Sequence, residues 1–264
     1  MSKVFLEINS NYGIIGSKGG VVMPAYKKIK QQLLEQYPYR IELHAHTHPV
    51  SGCSCILPEE MPALLKGKGY DAVVITNHFV FHTDGTPAEE ALDFYMSGYE
   101  QTKAAADQYG IRVILGAEIR FEDHPNDYLL FGVDRDILRK CYDYLQKGVE
   151  LFRKEVPLPD SLFLQAHPFR DGLTRVDPAL LDGIETFNMH PHHNSRVGLA
   201  VKYAMENGLT IQTVGTDLHE KDEGHEGICA LRTAELPEDS FDIVRILRSG
   251  EYIFEVGEEN IVLP

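Results

Sequence analysis

The sequence predicts an α/β fold built from parallel β/α units in one domain. Short apolar runs rich in β-branched residues, typical of buried strands, alternate with longer segments whose apolar residues recur at helical spacing. The chain has 264 residues, 43% of them hydrophobic, which matches one β/α barrel of about 250 residues. Metal-type ligands follow several of the predicted strands, as at the active face of such barrels. We find no repeat, low-complexity segment or long linker.

The acidic composition limits the partners that we expect. The formal net charge is −15, from 40 acidic and 25 basic residues. Such a surface repels a phosphate backbone, so polymeric nucleic acid is not an expected ligand. No apolar run approaches the ~20 residues of a transmembrane helix and no signal-peptide pattern is present, which predicts a soluble, cytoplasmic protein without membrane contact. Four scattered cysteines favour reduced thiols. The sequence does not predict the oligomeric state.

Residues 1–39 are predicted to form a short N-terminal extension that packs on the main domain, residues 40–264. Within the extension, Val4–Ile8 has the apolar pattern of a strand. Tyr26–Gln36 has apolar residues at helical spacing, and Pro38 ends that helix because proline cannot continue one.

From Arg40 onward, strands and helices alternate. The predicted strands are Arg40–His46, Asp71–Thr76, Arg112–Ala117, Tyr128–Val133, Leu162–Ala166, Ile184–Phe187, Thr210–Val214 and Tyr252–Val256. The predicted helices are Pro58–Gly67, Pro87–Tyr109, Ile137–Phe152, Arg196–Asn207 and Asp239–Ser249. The continuous β-branched run at Asp71–Thr76 indicates a strand buried on both faces, and the alternation favours parallel β/α units.

The segment Arg40–His46 carries the first chemical signal. Side chains two apart on a strand point to the same face, so His44 and His46 would present two imidazoles side by side. Imidazole is a common ligand of zinc, iron and related metals. This strand therefore predicts half of a metal site.

Other predicted strands end in residues of the same kind. The residues at these strand ends are His44 and His46, Asn77 and His78, Glu118, His167, and Asp217 and His219. In a β/α barrel the C-terminal strand ends converge on one face, where active sites lie. We therefore expect these side chains to form one metal cluster.

The motifs in question are HAHTH (44–48), TNH (76–78), GAE (116–118), AHP (166–168) and GTDLH (215–219). As an ordered set they resemble the motifs of the polymerase and histidinol phosphatase (PHP) family. The resemblance implies a distorted TIM-like (β/α)7 barrel that binds two or three divalent metal ions (Zn, Mn, Fe or Mg) at its C-terminal face. It also implies hydrolysis of phosphate esters.

Carried over by motif, the resemblance implies a specific set of metal ligands: His44, His46, His78, Glu118, His167, Asp217 and His219. Glu118 would bridge a first ion to a second ion near His167, and His78 and His219 would serve a third position. Glu118 and Asp217 would thus be the catalytic carboxylates.

The sequence departs from the family pattern at three places. Ser51–Cys53 stands where members often have Asp or His, Asn77 replaces an acid, and Asn126–Tyr128 stands where a His ligand is common. These departures bear on the second and third ions. The residues that could substitute are His48, His124 and Asp127.

Substrate-binding candidates lie beside the strand ends. Arg170 in AHPFR is the first choice, because a guanidinium matches two phosphate oxygens. Arg196 is a second candidate, although a surface salt bridge explains it equally well. His190, His192 and His193 follow the strand at Ile184 and would contact either substrate or solvent.

The combined prediction is a hydrolase that uses metal-activated water on phosphomonoesters of small soluble molecules. One alternative is an amidohydrolase-like enzyme that cleaves C–N or C–O bonds, although such a barrel would more often carry a lysine where Glu118 stands. Another is a catalytically silent metal-binding module, as PHP-like domains attached to polymerases can be.

Overall fold

The computed structural model describes residues 25–82, 84–221, 224, 227–257 and 260–264. Its helices are α1 Ala25–Gln36, α2 Met61–Gly67, α3 Ala88–Ala106, α4 Arg135–Tyr142, α5 Val149–Glu155, α6 Val197–Asn207 and α7 Ser240–Ser249. Its strands are β1 Tyr39–Ala45, β2 Ala72–Ile75, β3 His78–Phe79, β4 Arg112–Leu115, β5 Ala117–Arg120, β6 Asp127–Phe131, β7 Leu162–Gln165, β8 Gly183–Asn188, β9 Ile211–Gly215, β10 Cys229–Thr233, β11 Tyr252–Val256 and β12 Asn260–Val262. The predicted strand Val4–Ile8 lies outside the described residues.

The described strands form two six-stranded sheets. Their orders are β12-β11-β10-β1-β2-β4 and β3-β5-β6-β7-β8-β9. The chain passes from the first sheet to the second at Gly116, between β4 and β5. A Cβ on Gly116 would lie 2.6 Å from a methyl group of Val74, so only glycine permits this close crossing.

The two sheets also meet beyond β9. Leu218 accepts a hydrogen bond from the backbone N–H of His46 (3.0 Å) and donates one to the backbone carbonyl of His44 (3.1 Å). The alternation of helices and strands along the chain confirms the mixed α/β class. The strand ladders do not close continuously, so the (β/α)7 barrel stays a prediction.

The expectation of parallel β/α units was wrong for part of each sheet, and β10, β11 and β12 pair antiparallel in the first sheet. β6 runs antiparallel to both β5 and β7, and β10 runs antiparallel to β1. The connection from β5 to β6 spans only residues 121–126, too short for the crossover that a parallel pair needs. Strand β10 was not predicted from the sequence, because Arg232 interrupts its apolar run. The Arg232 guanidinium binds Glu255 on β11 at 2.6 Å.

The predicted helix Ile137–Phe152 is two helices. α4 ends at Tyr142 and α5 begins at Val149, after Gly148 with a φ of 88°. Asp123 approaches this break closely, and its carboxylate accepts the backbone N–H of Val149 at 3.2 Å. The carboxylate thus caps the start of α5, since the first N–H groups of a helix have no partner within it.

The core lies on both sides of the central strands. β2, β6 and β7 are buried along their whole lengths, which confirms the expectation for the β-branched run of β2. Large side chains such as Tyr128, Phe131 and Phe163 fill the space between sheets and helices. No described helix combines the length and apolar character that crossing a membrane requires.

Candidate metal centre

The fold brings the predicted strand-end residues together. Those nearest the centre are His44, His46, His78, Glu118, His167, Asp217 and His219, on or just after β1, β3, β5, β7 and β9. The contributing strands lie on both sheets, so the site forms where the sheets meet.

The largest group of candidate ligands among the described residues has four members: His44, His46, Glu118 and Asp217. All four are buried, and one ligand atom from each lies within 4.8 Å of all the others. His44 Nε2 lies 3.3 Å from a Glu118 oxygen and 3.3 Å from Asp217 Oδ1. Two imidazoles and two carboxylates around one point form a donor set for a divalent cation.

Several buried atoms here have no hydrogen-bond partner. Among the described residues they include His44 Nε2, His46 Nε2, His78 Nδ1 and Glu118 Oε2. Buried polar atoms in native proteins are nearly always hydrogen-bonded, because burying an unpaired one costs free energy. These atoms lie together around Glu118, an arrangement that fits a bound metal ion.

Further ligand groups adjoin the first. His46, His78 and His219 have nitrogen atoms within 4.8 Å of one another. His167 Nε2 lies 3.0 Å from Glu118 Oε1, on the side of Glu118 that also faces His44. Glu118 is thus within reach of more than one metal position.

The pKa values of His44 and His46 are shifted in opposite directions. Burial would lower the pKa of His44, but the carboxylates of Asp217, Glu185 and Glu118 raise it well above its usual value. Burial and the neighbouring imidazole of His219 lower the pKa of His46 well below its usual value. His46 is therefore neutral at pH 7, the form in which imidazole binds a metal.

The surroundings of the two central carboxylates favour their ionised forms. Burial would raise the pKa of Glu118, but His44 and His78 hold it well below the usual range. Burial opposes ionisation of Asp217 as well, and His44 and His46 lower its pKa in the same way. Both carboxylates thus favour the charged form, which His44 balances in part and a bound cation would balance further.

Two of these residues have left-handed backbone conformations. His167 has a φ of 28° and Asp217 a φ of 56°. Such conformations cost non-glycine residues about 1–3 kcal/mol and occur where surrounding structure imposes them, often at functional sites.

Arg170 lies in the site and Arg196 at its edge. Arg170 Nη2 donates to Asp217 Oδ2 (2.5 Å) and to Asn188 Oδ1 (2.9 Å). Arg196 donates to the Asp171 carboxylate (2.5 Å) and to the Phe169 carbonyl (2.6 Å).

The loop histidines line the approach to the cluster. The His190 ring lies 5.3 Å from that of His219, between centroids. His192 is exposed, and its ring lies 5.8 Å from that of His190. His190 is therefore the nearer of these two to the ligands.

A family model described as PHP domain matches residues 42–209. The chain belongs to the PHP domain family. The matched span contains the PHP motifs of β1, β3, β5 and β7, while Asp217 and His219 lie beyond it.

Solved structures resemble the PHP domain in fold. A two-domain protein from Bacteroides vulgatus, described as containing a predicted PHP-like metal-dependent phosphoesterase, has a TM-score of 0.53 and 17% identity over 83% of this chain. This chain spans 65% of that protein. A proposed metal-dependent phosphoesterase from Bifidobacterium adolescentis has a TM-score of 0.47 and 15% identity, covering 79% of this chain and 95% of its own.

A third similar structure is an amidohydrolase from Chromobacterium violaceum with bound sulfate and no metal. Its TM-score is 0.44 and its identity 15%, over 69% of this chain and 88% of its own. A comparison with curated proteins finds no significant match.

Two residues at which the sequence departs from the PHP pattern, Ser51 and Asn77, lie beside candidate ligands. Ser51 Oγ lies 3.1 Å from His46 Nδ1, accepts the backbone N–H of His78 (2.9 Å) and donates to Asn77 Oδ1 (3.0 Å). Asn77 Oδ1 also accepts the backbone N–H of Thr47 at 2.6 Å. Ser51 therefore contacts two of the candidate ligands, His46 and His78, and Asn77 holds Ser51 in place.

The predicted substitutes for missing PHP ligands differ in position. His48 is exposed, and His124 Nε2 is hydrogen-bonded to the Tyr128 hydroxyl at 3.1 Å. Asp127 is buried and has an oxygen within 4.8 Å of the ligand atoms of His78 and Glu118. Of these three residues, Asp127 is the one that lies with the candidate ligands.

Glu185 on β8 was not predicted from the sequence as a site residue. Its Oε1 accepts a hydrogen bond from His44 Nδ1 (2.9 Å), and its Oε2 accepts one from the backbone N–H of His167 (2.9 Å). Gly215 makes room for this contact, because a Cβ there would lie 2.8 Å from Glu185 Oε1. A carboxylate behind a metal-binding histidine fixes its tautomer, so Glu185 orients His44 toward the centre.

Replacing Glu185 by Gln should weaken metal binding by roughly 10–100-fold, because the amide no longer holds His44 with a charged hydrogen bond. Competition with a chelating dye would measure this affinity. Glu255→Gln is the matched control, since Glu255 is a buried glutamate on β11 that pairs with Arg40 and Arg232. Equal affinities of the Glu185 variant and the wild type would show that Glu185 serves only packing.

Proposed function

We propose that the protein is a metal-dependent phosphomonoesterase of small soluble substrates. The observation that carries this proposal is the convergence of unpartnered buried atoms around Glu118, with the guanidinium of Arg170 beside Asp217. Membership of the PHP family supports it. In this proposal the two sheets correspond to the distorted (β/α)7 barrel of the prediction.

His44, His46, Glu118 and Asp217 would hold a first ion, and Glu118 with His167 a second. His78 and His219 would serve a third position. Bound ions of this kind polarise phosphoryl oxygens and lower the pKa of a water to about 7. The identity of the ions, among Zn, Mn, Fe and Mg, is part of the proposal.

The remaining polar residues would bind and orient the substrate. Arg170 would hold a phosphate oxygen, and its 15% exposed side chain, which contacts Asp217, supports this role. His192 and His190 would contact the organic part of the ester. Arg196 could join only by leaving Asp171, to which it is now bound.

The acidic surface favours small substrates. A formal charge of −15 repels long polyanions, whereas a single phosphate needs only the local positive charge of the ions and Arg170. We therefore expect monoesters, not oligonucleotides, as substrates.

The test is a hydrolysis screen with protein loaded separately with Zn²⁺, Mn²⁺, Fe²⁺ or Mg²⁺. Nucleotides, sugar phosphates and amino-alcohol phosphates would be compared with single-stranded oligonucleotides and with amide and lactone substrates. We expect the fastest turnover on a phosphomonoester. Faster cleavage of an oligonucleotide, an amide or a lactone would overturn the proposal, as would metal-loaded protein inactive on every substrate.

A further inference from the structure

Asp127 is a buried carboxylate that the ligand set proposed above leaves unused. It begins β6, is 3% exposed, and has an oxygen within 4.8 Å of the ligand atoms of His78 and Glu118. Its Oδ2 also lies 4.0 Å from His167 Nε2. Asp127 thus lies near Glu118, His78 and His167, and Glu118 and His167 are the proposed ligands of the second ion.

Arg120 holds Asp127 from the opposite side. The two residues are register partners on the antiparallel strands β5 and β6. Arg120 Nε donates to Oδ1 and Nη2 donates to Oδ2, both at 2.7 Å. The side chain of Arg120 is 47% exposed, so this guanidinium lies between the site and solvent.

A carboxylate can accept both contacts at once. Its two oxygens offer about four lone pairs, of which a bidentate guanidinium occupies two. Asp127 therefore keeps free lone pairs for a metal ion beside His78 and Glu118 while Arg120 stays bound.

We propose that Asp127 is a ligand of the second metal ion and that Arg120 weakens the binding of that ion by charge repulsion. The inference rests on the proposed function and names one ligand of the same site. Asp127 lies in the segment where the PHP pattern commonly has a histidine ligand. An aspartate there would change the ion that this position selects, because carboxylates suit harder ions such as Mn²⁺. The second position would therefore prefer Mn²⁺ to Zn²⁺ more strongly than the first.

The simpler explanation is an ion pair that only stabilises the β5–β6 hairpin. The two explanations predict different signs for the change in metal affinity when Asp127 or Arg120 is replaced. If the pair is structural, loss of either partner should affect metal binding in the same direction. If Asp127 binds the ion, loss of the carboxylate weakens binding, whereas loss of the guanidinium strengthens it.

The experiment is titration of the metal-free protein with Mn²⁺, with free Mn²⁺ followed by electron paramagnetic resonance. The wild type should show a tight and a weaker class of site. Asp127→Asn should weaken the second class roughly tenfold or more. Arg120→Gln should tighten it by about twofold to fivefold, as expected for a partly exposed charge. The tight class should not change in either variant.

Two further variants complete the design. Asp127→Glu keeps the carboxylate and should retain both classes, which separates ligand loss from misfolding if Asp127→Asn is unstable. Arg139→Gln is the matched arginine control, because Arg139 pairs with Glu89 and Asp143 on the surface. It should titrate like the wild type.

A wild-type curve from Asp127→Asn, or weaker binding in both Asp127→Asn and Arg120→Gln, would overturn the inference. A wild type with a single class of site would also overturn it. Phosphomonoester turnover, measured on the same wild-type preparation, tests the proposed function separately from the role of Asp127. If the wild type turns over while these titrations fail, only the role of Asp127 is wrong, whereas an inactive wild type contradicts the proposed function.

Discussion

Replacing Glu118 by Gln should reduce turnover by roughly 10²-fold or more while leaving the fold of the metal-free protein intact. Glu118 is fully buried, and its two oxygens face His44, His46, His78 and His167 at 3.0–3.4 Å. An amide of the same shape preserves the packing, but it cannot balance the charge of two cations.

Circular dichroism and turnover on the best phosphomonoester would be measured on the same preparations. Glu122→Gln is a suitable control, because Glu122 is exposed just beyond β5 and should retain wild-type activity. If secondary structure and turnover of the Glu118 variant collapse together, Glu118 is needed for folding and the bridging proposal fails.

Replacing Arg170 by Ala should raise KM for a phosphomonoester about 10–100-fold and also lower kcat, since a charge-assisted hydrogen bond contributes about 1.5–3 kcal/mol. Metal content should not change. Asp217 keeps a hydrogen bond from Asn188 Nδ2 (3.2 Å), so the carboxylate stays in place without the guanidinium.

Arg196→Ala provides the matched comparison for this prediction. Its guanidinium is bound to Asp171 and the Phe169 carbonyl, so its loss should change KM less than twofold or so. A larger effect from Arg196 than from Arg170 would reverse the assignment of the phosphate-binding arginine. Loss of metal from Arg170→Ala would instead make Arg170 a support of Asp217.

The sequence predicted the members of the cluster because strand periodicity is local. His44 and His46 had to share a face once β1 was recognised, and the C-terminal ends of neighbouring parallel strands lie at one edge. Glu118, His167 and Asp217 followed from the same rule. The structure places all five within one cluster.

The supporting contacts could not be predicted in this way. Glu185 lies 141 residues from His44 in the sequence, and nothing in the local pattern of β8 indicates which histidine its carboxylate contacts. Ser51 appeared as a missing ligand because its residue type was compared with a family pattern, whereas its hydroxyl orients His46. The antiparallel direction of β6 depended on a loop length that only correct strand boundaries reveal.

The backbone contacts of Leu218 give the proposed ions a mechanical role. Leu218 exchanges hydrogen bonds with His44 and His46 on the first sheet, while its neighbours Asp217 and His219 follow the last strand of the second sheet. An ion held by His44, His46 and Asp217 therefore crosslinks the two sheets. Its binding free energy adds to the free energy of unfolding, because the unfolded chain has no such site. Separation of the sheets, and with it exchange of the amide hydrogens between them, then requires the ion to leave first.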